Sequence, residues 1–148
     1  MLAVALATSG AAAAPSQPRI AGFKAFLFNS ETGTLSKDMM PNQSELGNVV
    51  AGDLASVSTF VVVTVSFGPQ AAIPDRPRVR LLARTEGRRG RLLLDRTSRV
   101  GPVARDGTTH VGFWLDDTGC ETIDLQATLI GATAPARVNE TLSFHCYE

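Results

Sequence analysis

The feature that most restricts the fold is an uninterrupted run at positions 59–67, Thr-Phe-Val-Val-Val-Thr-Val-Ser-Phe, which ends at Gly68-Pro69. β-Branched and aromatic residues favour extended backbone, and a Gly-Pro pair is typical of a turn. A run this apolar predicts a central strand that is buried on both of its faces. Because such a strand requires neighbours on both edges, the chain must contain a sheet.

No segment repeats apolar residues at helical spacing over the length of a typical helix. Short alternating or apolar segments separated by turn residues recur instead, which is typical of antiparallel sheets. They predict further strands at 20–28, 78–85, 91–100, 110–115, 123–130 and 138–147. Residues 35–49 are predicted to form a loop-rich connection that leaves room for an edge strand.

The predicted fold class is all-β, with a single antiparallel β-sandwich over residues 19–148. Its general architecture is expected to be immunoglobulin-like, as an analogy only, because the two cysteines are too close in sequence for the usual bridge between sheets. A length of 148 residues fits one domain with a sufficient core. Fourteen basic and fourteen acidic residues balance, so the chain has no overall attraction to nucleic acid or membranes.

The N-terminal residues combine a short apolar run with an Ala-rich stretch, as in a signal peptide with an Ala-x-Ala cleavage site. We therefore expect a signal peptide at 1–13, a short disordered leader at 14–18 and a secreted or periplasmic location. No Lys or Arg precedes Arg19, so an Ala-rich disordered tail is the alternative interpretation. No later segment is long and apolar enough to predict a membrane span.

The chain has two cysteines, Cys120 and Cys146. In an oxidising compartment they are expected to form a disulfide, although two separate buried thiols are the alternative. The bridge would close a loop of roughly 25 residues and stabilise the fold by about 3 kcal/mol on the chain-entropy model. If Cys120 faced Cys146 in a plain ladder, the apolar faces of the last two strands would not coincide. We therefore predict that Gly119 and Cys120 form a turn or bulge before the strand.

Arginines are concentrated between positions 76 and 105, where Glu86 and Asp95 are the only acidic residues opposing them in the predicted hairpin. Alternate positions of a strand point to the same face, and several of these arginines share one parity. The candidate anion-binding residues are Arg76, Arg78, Arg80, Arg84 and Arg91. Charge pairing favours a hairpin register in which Asp95 lies opposite Arg80 and Arg91 lies opposite Arg84.

Guanidinium groups suit carboxylate, sulfate and phosphate groups, which makes this hairpin a candidate anion-binding face. The partner would be an unknown protein or an acidic glycan, with lipopolysaccharide phosphates among the possibilities. The alternative is a solvated outer face whose charges prevent aggregation of sheet edges. Nucleic acid is not expected, since residues 68–112 contain no aromatic side chain on which bases could stack.

No constellation of residues indicates catalysis, so we expect neither an enzyme nor a cofactor. His110 and His145 lack the closely spaced companions of a zinc site, and no serine lies in a Gly-x-Ser-x-Gly turn. Asp116, Asp117 and Glu121 could supply oxygen ligands to Ca²⁺, but such residues are also ordinary in a tight turn. We therefore predict no metal, with calcium at these three carboxylates as the alternative.

Position 114 carries the only tryptophan of the chain. Strand parity places Phe113 in the core and leaves Trp114 on the more exposed face. There the indole ring could stack on a sugar or pack under a loop, and packing is the simpler of the two interpretations.

Together these features predict an exported, non-enzymatic binding module that uses an arginine-rich hairpin face to bind an acidic partner. The alternative is a structural or assembly subunit that associates with copies of itself or a neighbour through exposed strand edges. The two hypotheses differ in mechanism, because the first depends on charge and therefore on salt, whereas the second depends on backbone pairing.

Overall fold

The structure is a computed structural model that describes residues 17–46, 58–67, 77–87, 90–118, 120–132 and 136–145. The predicted signal peptide at 1–13 lies outside these ranges, as do Arg76, Gly119 and Cys146. In the described part, the protein is an all-β sandwich of two antiparallel four-stranded sheets. No helix among these residues is long and apolar enough to cross a membrane.

The strands are β1 (Arg19–Asn29), β2 (Thr34–Leu35), β3 (Ser58–Ser66), β4 (Arg78–Thr85), β5 (Leu92–Arg99), β6 (Thr108–Asp116), β7 (Ile123–Ile130) and β8 (Ala136–Leu142). β4 and β7 have the predicted bounds. The predicted continuation of the last strand is wrong for residues 143–145, since β8 and its pairing with β7 end at Leu142, while residues 146 and 147 lie outside the described ranges. The predicted loop at 35–49 contains a 3₁₀ turn, Gln43–Glu45, and its edge strand is the two-residue β2.

The sheets have the orders β2-β1-β3-β6 and β5-β4-β7-β8. β3 therefore lies between two neighbours, which confirms its predicted central position. The prediction that β3 is buried on both faces is wrong: its residues alternate between fully and partly buried, with Phe60, Val62 and Thr64 on the less buried side. A continuous apolar run cannot distinguish these cases, because an outward apolar side chain can be half-covered by its cross-strand neighbours.

The core forms between the inner faces of the two sheets and follows the two-residue period of the strands. Its fully buried side chains, all at most 2 % exposed, include Leu27, Val61, Val63, Leu81, Phe113, Leu115, Leu125 and Leu129. Burial of an aliphatic or aromatic side chain of this size stabilises a fold by about 1.5–3 kcal/mol relative to its exposure. The inner faces therefore supply most of the favourable free energy and fix which side chains must point outward.

The register of the β4–β5 hairpin differs from the predicted one by two residues. Arg80 lies opposite Thr97, while Asp95 lies opposite Leu82, and a bulge interrupts the ladder between Ala83 and Arg84. A shift of two residues leaves every side chain on the same face, so the alternation of apolar residues could not detect it. The predicted contact between Arg80 and Asp95 nevertheless forms, as a diagonal pair.

The β7–β8 register has the offset that the apolar faces require. Ile123 pairs with Leu142 and Asp124 with Thr141, so the offset prediction is confirmed. Cys120 lies in a bend before β7, also as predicted. The described residues contain no free cysteine. Because Cys146 lies outside them, its pairing with Cys120 stays a prediction.

Residues after β2 continue to cover the edge of β1 without forming a regular strand. The Ser36 hydroxyl oxygen accepts from the Leu27 N–H at 2.9 Å, and the Asp38 carboxylate accepts from the Ala25 N–H at 3.1 Å. The Met39 N–H donates to the Ala25 carbonyl at 2.8 Å. Side chains thus replace part of a backbone ladder, so this edge offers fewer unpaired groups to another strand.

Gln43, in the same segment after β2, links this segment to the end of β8. Its Nε2 donates to the Thr141 carbonyl, and its Oε1 accepts from the Ser143 N–H, both at 2.9 Å. The primary amide therefore occupies the place that a peptide group of a further strand would take. Three residues later, the Leu46 carbonyl accepts from the His145 N–H at 2.8 Å. This part of the β8 edge is consequently covered by the chain itself.

We predict that Gln43→Ala lowers the free energy of unfolding by about 1–3 kcal/mol, because a backbone donor and a backbone acceptor both lose their partner. Gln43→Glu should cost less, since the carboxylate still accepts from Ser143 although it cannot donate to Thr141. Denaturant unfolding of the three proteins measures both effects. Parental stability in the alanine variant would show that the amide contributes nothing to this edge.

Candidate anion-binding face

The outer surface of the β5-β4-β7-β8 sheet carries a group of five arginines that we name the arginine face. Val79, Leu81 and Ala83 point inward and are fully buried, so the even-numbered positions of β4 point to solvent. Cross-strand pairing adds arginines from β5 and β8 to the same surface. The members of the arginine face are Arg78, Arg80, Arg84, Arg99 and Arg137.

Within this face Arg80 is bound to a carboxylate. Its Nε donates to Asp95 Oδ1 at 2.7 Å and its Nη2 donates to Asp95 Oδ2 at 2.6 Å. This bidentate hydrogen bond holds the pKa of Asp95 below its ordinary value and, in the same way, raises the pKa of Arg80. Both groups are exposed, so Asp95 mainly neutralises Arg80 rather than stabilising the fold.

Arg78 and Arg99 lie directly opposite each other across the β4–β5 ladder. Both are exposed, and the ion pairs of the described residues, Arg80–Asp95 and Arg91–Asp117, involve neither of them. Like charges that face each other across a ladder repel, and an anion placed between them would relieve that repulsion. Arg99 belongs to the predicted arginine-rich hairpin but not to the predicted anion-binding residues; the predicted register placed Thr97 opposite Arg78, and the structure places Arg99 there.

Arg137 reaches the face from β8, through a pairing of Arg137 with Thr128 and of Thr128 with Arg80. No local pattern in the sequence could identify it, since it lies more than fifty positions after Arg80 and joins the face only through β7. Its contribution follows from the strand order alone. The face therefore has positive charge on three of its four strands.

The other two predicted anion-binding residues are Arg76 and Arg91. Arg76 lies outside the described residues. Arg91 precedes β5 and does not pair with Arg84; its Nη1 donates to Asp117 Oδ2 at 2.6 Å, and its Nη2 donates to the Asp117 carbonyl at 3.1 Å. The bulge after Ala83 changes the parity of the hairpin at this end, so Arg91 is directed toward the β6–β7 connection.

An open cleft lies beside Arg84 on the same sheet, with a volume of about 370 Å³. Gln126 Nε2 donates to Asn139 Oδ1 at 3.1 Å across its floor, and the Thr141 hydroxyl donates to Asp124 Oδ1 at 3.3 Å. The lining combines these polar side chains with the half-buried Leu82. We name it the β4–β7–β8 cleft; its lining residues are Leu82, Arg84, Thr85, Gly87, Asp124, Leu125, Gln126, Asn139, Glu140 and Thr141.

Two of the three candidate calcium ligands have other contacts, and the three do not form a common site. Asp116 Oδ1 accepts from the Trp114 indole N–H at 2.8 Å, whereas Asp117 is bound to Arg91. Glu121 is exposed beyond the bend. Among the described residues, no three His, Cys, Asp or Glu side chains are grouped closely enough to hold a metal ion.

The two histidines also have contacts of their own. His110 Nδ1 lies 3.1 Å from the Thr64 hydroxyl across the β3–β6 ladder. His145 is exposed after the end of β8. His110 lies on β6 of the other sheet and His145 follows β8, so neither belongs to the arginine face.

Trp114 belongs to an aromatic cluster on the outer face of the other sheet. Its ring centroid lies 5.1 Å from that of Phe28 and 6.0 Å from that of Phe60. Gly112, on the same face of β6, leaves the space that the Phe60 ring occupies. The prediction that Phe113 is buried and Trp114 more exposed is confirmed, with Phe113 at 2 % exposure. Trp114 packs against rings of neighbouring strands rather than under a loop.

No protein-family model matches the sequence, and the comparison with curated proteins finds no match.

We predict that Gly112→Ala destabilises the fold by about 1–3 kcal/mol, because the new methyl group would displace the Phe60 ring from its packing on Trp114. The loss should disappear in a Phe60→Ala background, where no ring needs to move. A double-mutant cycle of unfolding free energies measures this coupling. Equal effects of the glycine substitution in both backgrounds would contradict the packing explanation.

Proposed function

We propose that the protein is an exported, non-enzymatic binding module that attaches to an acidic partner through its arginine face. The observation that carries the proposal is the cross-strand pair of Arg78 and Arg99, two exposed cations for which the described residues provide no carboxylate partner. The guanidinium groups of this pair offer several donors to carboxylate, sulfate or phosphate groups. The partner class is an acidic glycan or an acidic protein.

The balance of charge on the sheet supports this proposal. The outward positions of its four strands carry the five arginines of the face against two carboxylates, Asp95 and Asp124. The chain as a whole is neutral, so this excess is local to one surface. Local fields of one sign attract charged ligands and accelerate their association at low ionic strength.

The strand order supports an immunoglobulin-like architecture as part of the proposal. β1, β3 and β6 share one sheet while β4, β7 and β8 share the other, as strands A, B, E and C, F, G do in immunoglobulin domains. β5 lies beside β4, which is the place of an additional strand next to strand C in the variable type. Export is also part of the proposal and depends on the apolar N-terminal run and the cysteine pair.

The alternative function, assembly through exposed strand edges, has less support. Ser36, Asp38 and Met39 cover the edge of β1, and Gln43 covers the end of β8. Covered edges offer few unpaired backbone groups to another chain. The assembly hypothesis would gain support from concentration-dependent oligomers that persist at high salt.

We predict that Arg78→Gln combined with Arg99→Gln weakens binding to dextran sulfate and polyglutamate by about tenfold or more at low salt, since the variant loses two charge-assisted donors. The matched control is Arg96→Gln with Arg105→Gln, which makes the same change of net charge at exposed positions outside the face. Titration calorimetry at low and physiological salt measures both.

Three outcomes of that titration have different meanings. Loss of affinity confined to the Arg78/Arg99 variant supports the arginine face. Equal loss in the control variant would indicate attraction to net charge without a defined site. No binding by the parent protein would reject the proposed function.

We further predict that Asp95→Asn tightens binding to dextran sulfate at neutral pH by roughly two- to fivefold, because Arg80 no longer has a competing carboxylate. In the parent, affinity should rise as the pH falls through the lowered pKa of Asp95, where protonation frees Arg80. The ion pair contributes to stability above the ordinary Asp pKa, and this contribution is lost as the pH falls through the lowered value. Sulfate groups stay ionised in this range.

The readout is affinity as a function of pH in the parent and the Asp95→Asn variant, with circular dichroism to verify that both stay folded. The variant should lack the increase that depends on Asp95. Identical pH profiles for the two proteins would show that Arg80 does not contact the polymer.

A further inference from the structure

The β4–β7–β8 cleft continues the arginine face rather than standing apart from it. Arg84 belongs to both, since it lines the cleft and shares its strand face with Arg80 and Arg78. Six residues of extended strand separate Arg84 from Arg78, a span of about 20 Å. A ligand that occupies both must therefore be an extended chain rather than a single small anion.

The polar groups of the cleft suit a ligand that carries hydroxyl groups. Gln126 and Asn139 each keep amide donors and acceptors beyond the one hydrogen bond that joins them. Asp124 accepts from the Thr141 hydroxyl at 3.3 Å, and its carboxylate has further acceptor capacity. Leu82 adds apolar surface beneath these groups. Mixed donors and acceptors around an apolar contact are what a sugar ring requires.

The charges of the cleft argue against a ligand made of anions alone. Asp124 lies directly opposite Arg84 in the β4–β7 ladder and both line the cleft, so one carboxylate accompanies one guanidinium there. A bare polyanion would be repelled by Asp124, whereas sugar hydroxyl groups donate to it. The arginine face beyond the cleft carries an excess of positive charge. The surface as a whole therefore fits a chain that presents hydroxyl groups at one position and anionic groups at the next.

We infer that the partner is an acidic polysaccharide, with a sugar ring in the β4–β7–β8 cleft and its anionic groups along Arg84, Arg80 and the Arg78–Arg99 pair. This inference rests on the proposed function and specifies its ligand. An acidic protein would supply the anions but not the ring of hydroxyl groups that Gln126, Asn139 and Asp124 can bind. The cleft is thus the specificity element of the site, and the arginines are its source of affinity.

The test compares a linear oligogalacturonate with polyglutamate of similar length, so that both probes carry carboxylates and one carries sugar rings. The variant is Gln126→Ala with Asn139→Ala, which removes both members of the amide pair and leaves neither without its partner. The matched control is Thr97→Ala with Thr128→Ala, two positions of the same sheet face that do not line the cleft.

The cleft variant should bind oligogalacturonate about tenfold more weakly than the parent, because hydrogen bonds to two side chains are lost, and should bind polyglutamate as the parent does. The threonine control should bind both probes like the parent. A methyl-esterified oligogalacturonate, which keeps the rings and loses the charges, should bind weakly to every protein in the series.

Failure of this inference is distinguishable from failure of the proposed function. If Arg78→Gln with Arg99→Gln abolishes binding of both probes and the cleft variant affects neither or both equally, the arginine face remains and the polysaccharide assignment is wrong. If the cleft variant loses oligogalacturonate while the arginine variant keeps it, the cleft binds sugar and the arginine face has no role. If the parent binds neither probe, both are rejected.

Discussion

The two-residue alternation of side chains along β4 determines the surface of this protein as much as its core. Val79, Leu81 and Ala83 are buried against the opposite sheet. The arginines at the alternate positions of β4 therefore point to solvent. The desolvation free energy of an unpaired buried guanidinium is far larger than the free energy that its packing in the core would contribute. The same requirement that builds the sandwich therefore concentrates positive charge on one outer face.

Arg78 and Arg99 can stay opposite each other because the free energy of their repulsion is smaller than the free energy gained by burying the core side chains. A cross-strand pair contributes at most about 1 kcal/mol, whereas each buried aliphatic side chain of the inner faces contributes about 1.5–3 kcal/mol. β4 is held by its buried inward side chains, and β5 packs its partly buried Leu93 and Leu94 against the core, so the weaker repulsion between two exposed cations does not separate the strands. In the proposed function, an anionic ligand bound between the two arginines would relieve this repulsion.

The exposed side chains on the two outer faces of the sandwich have different kinds of contacts. On the β2-β1-β3-β6 sheet, Phe28, Phe60 and Trp114 cover one another, and Gly112 makes room for a ring. On the arginine face, one cation is neutralised by Asp95 while the Arg78–Arg99 pair is not. Among the described residues, the first arrangement supplies its own contacts, whereas the second leaves two cations without a carboxylate. That contrast is why we propose binding at the arginine face.

The sequence by itself determined the bounds and the buried side of β4 and β7 and the β7–β8 offset, because burial and strand period act locally. Tertiary structure decided what depends on neighbours distant in sequence. A register that differs by two residues from the predicted one placed Arg99 opposite Arg78, and the bulge after Ala83 directed Arg91 away from the candidate site. Arg137 joined through the strand order, and Gln43 bound the end of β8 across nearly one hundred positions. Such contacts produce no periodic pattern in the sequence, because they depend on how one sheet packs against the other.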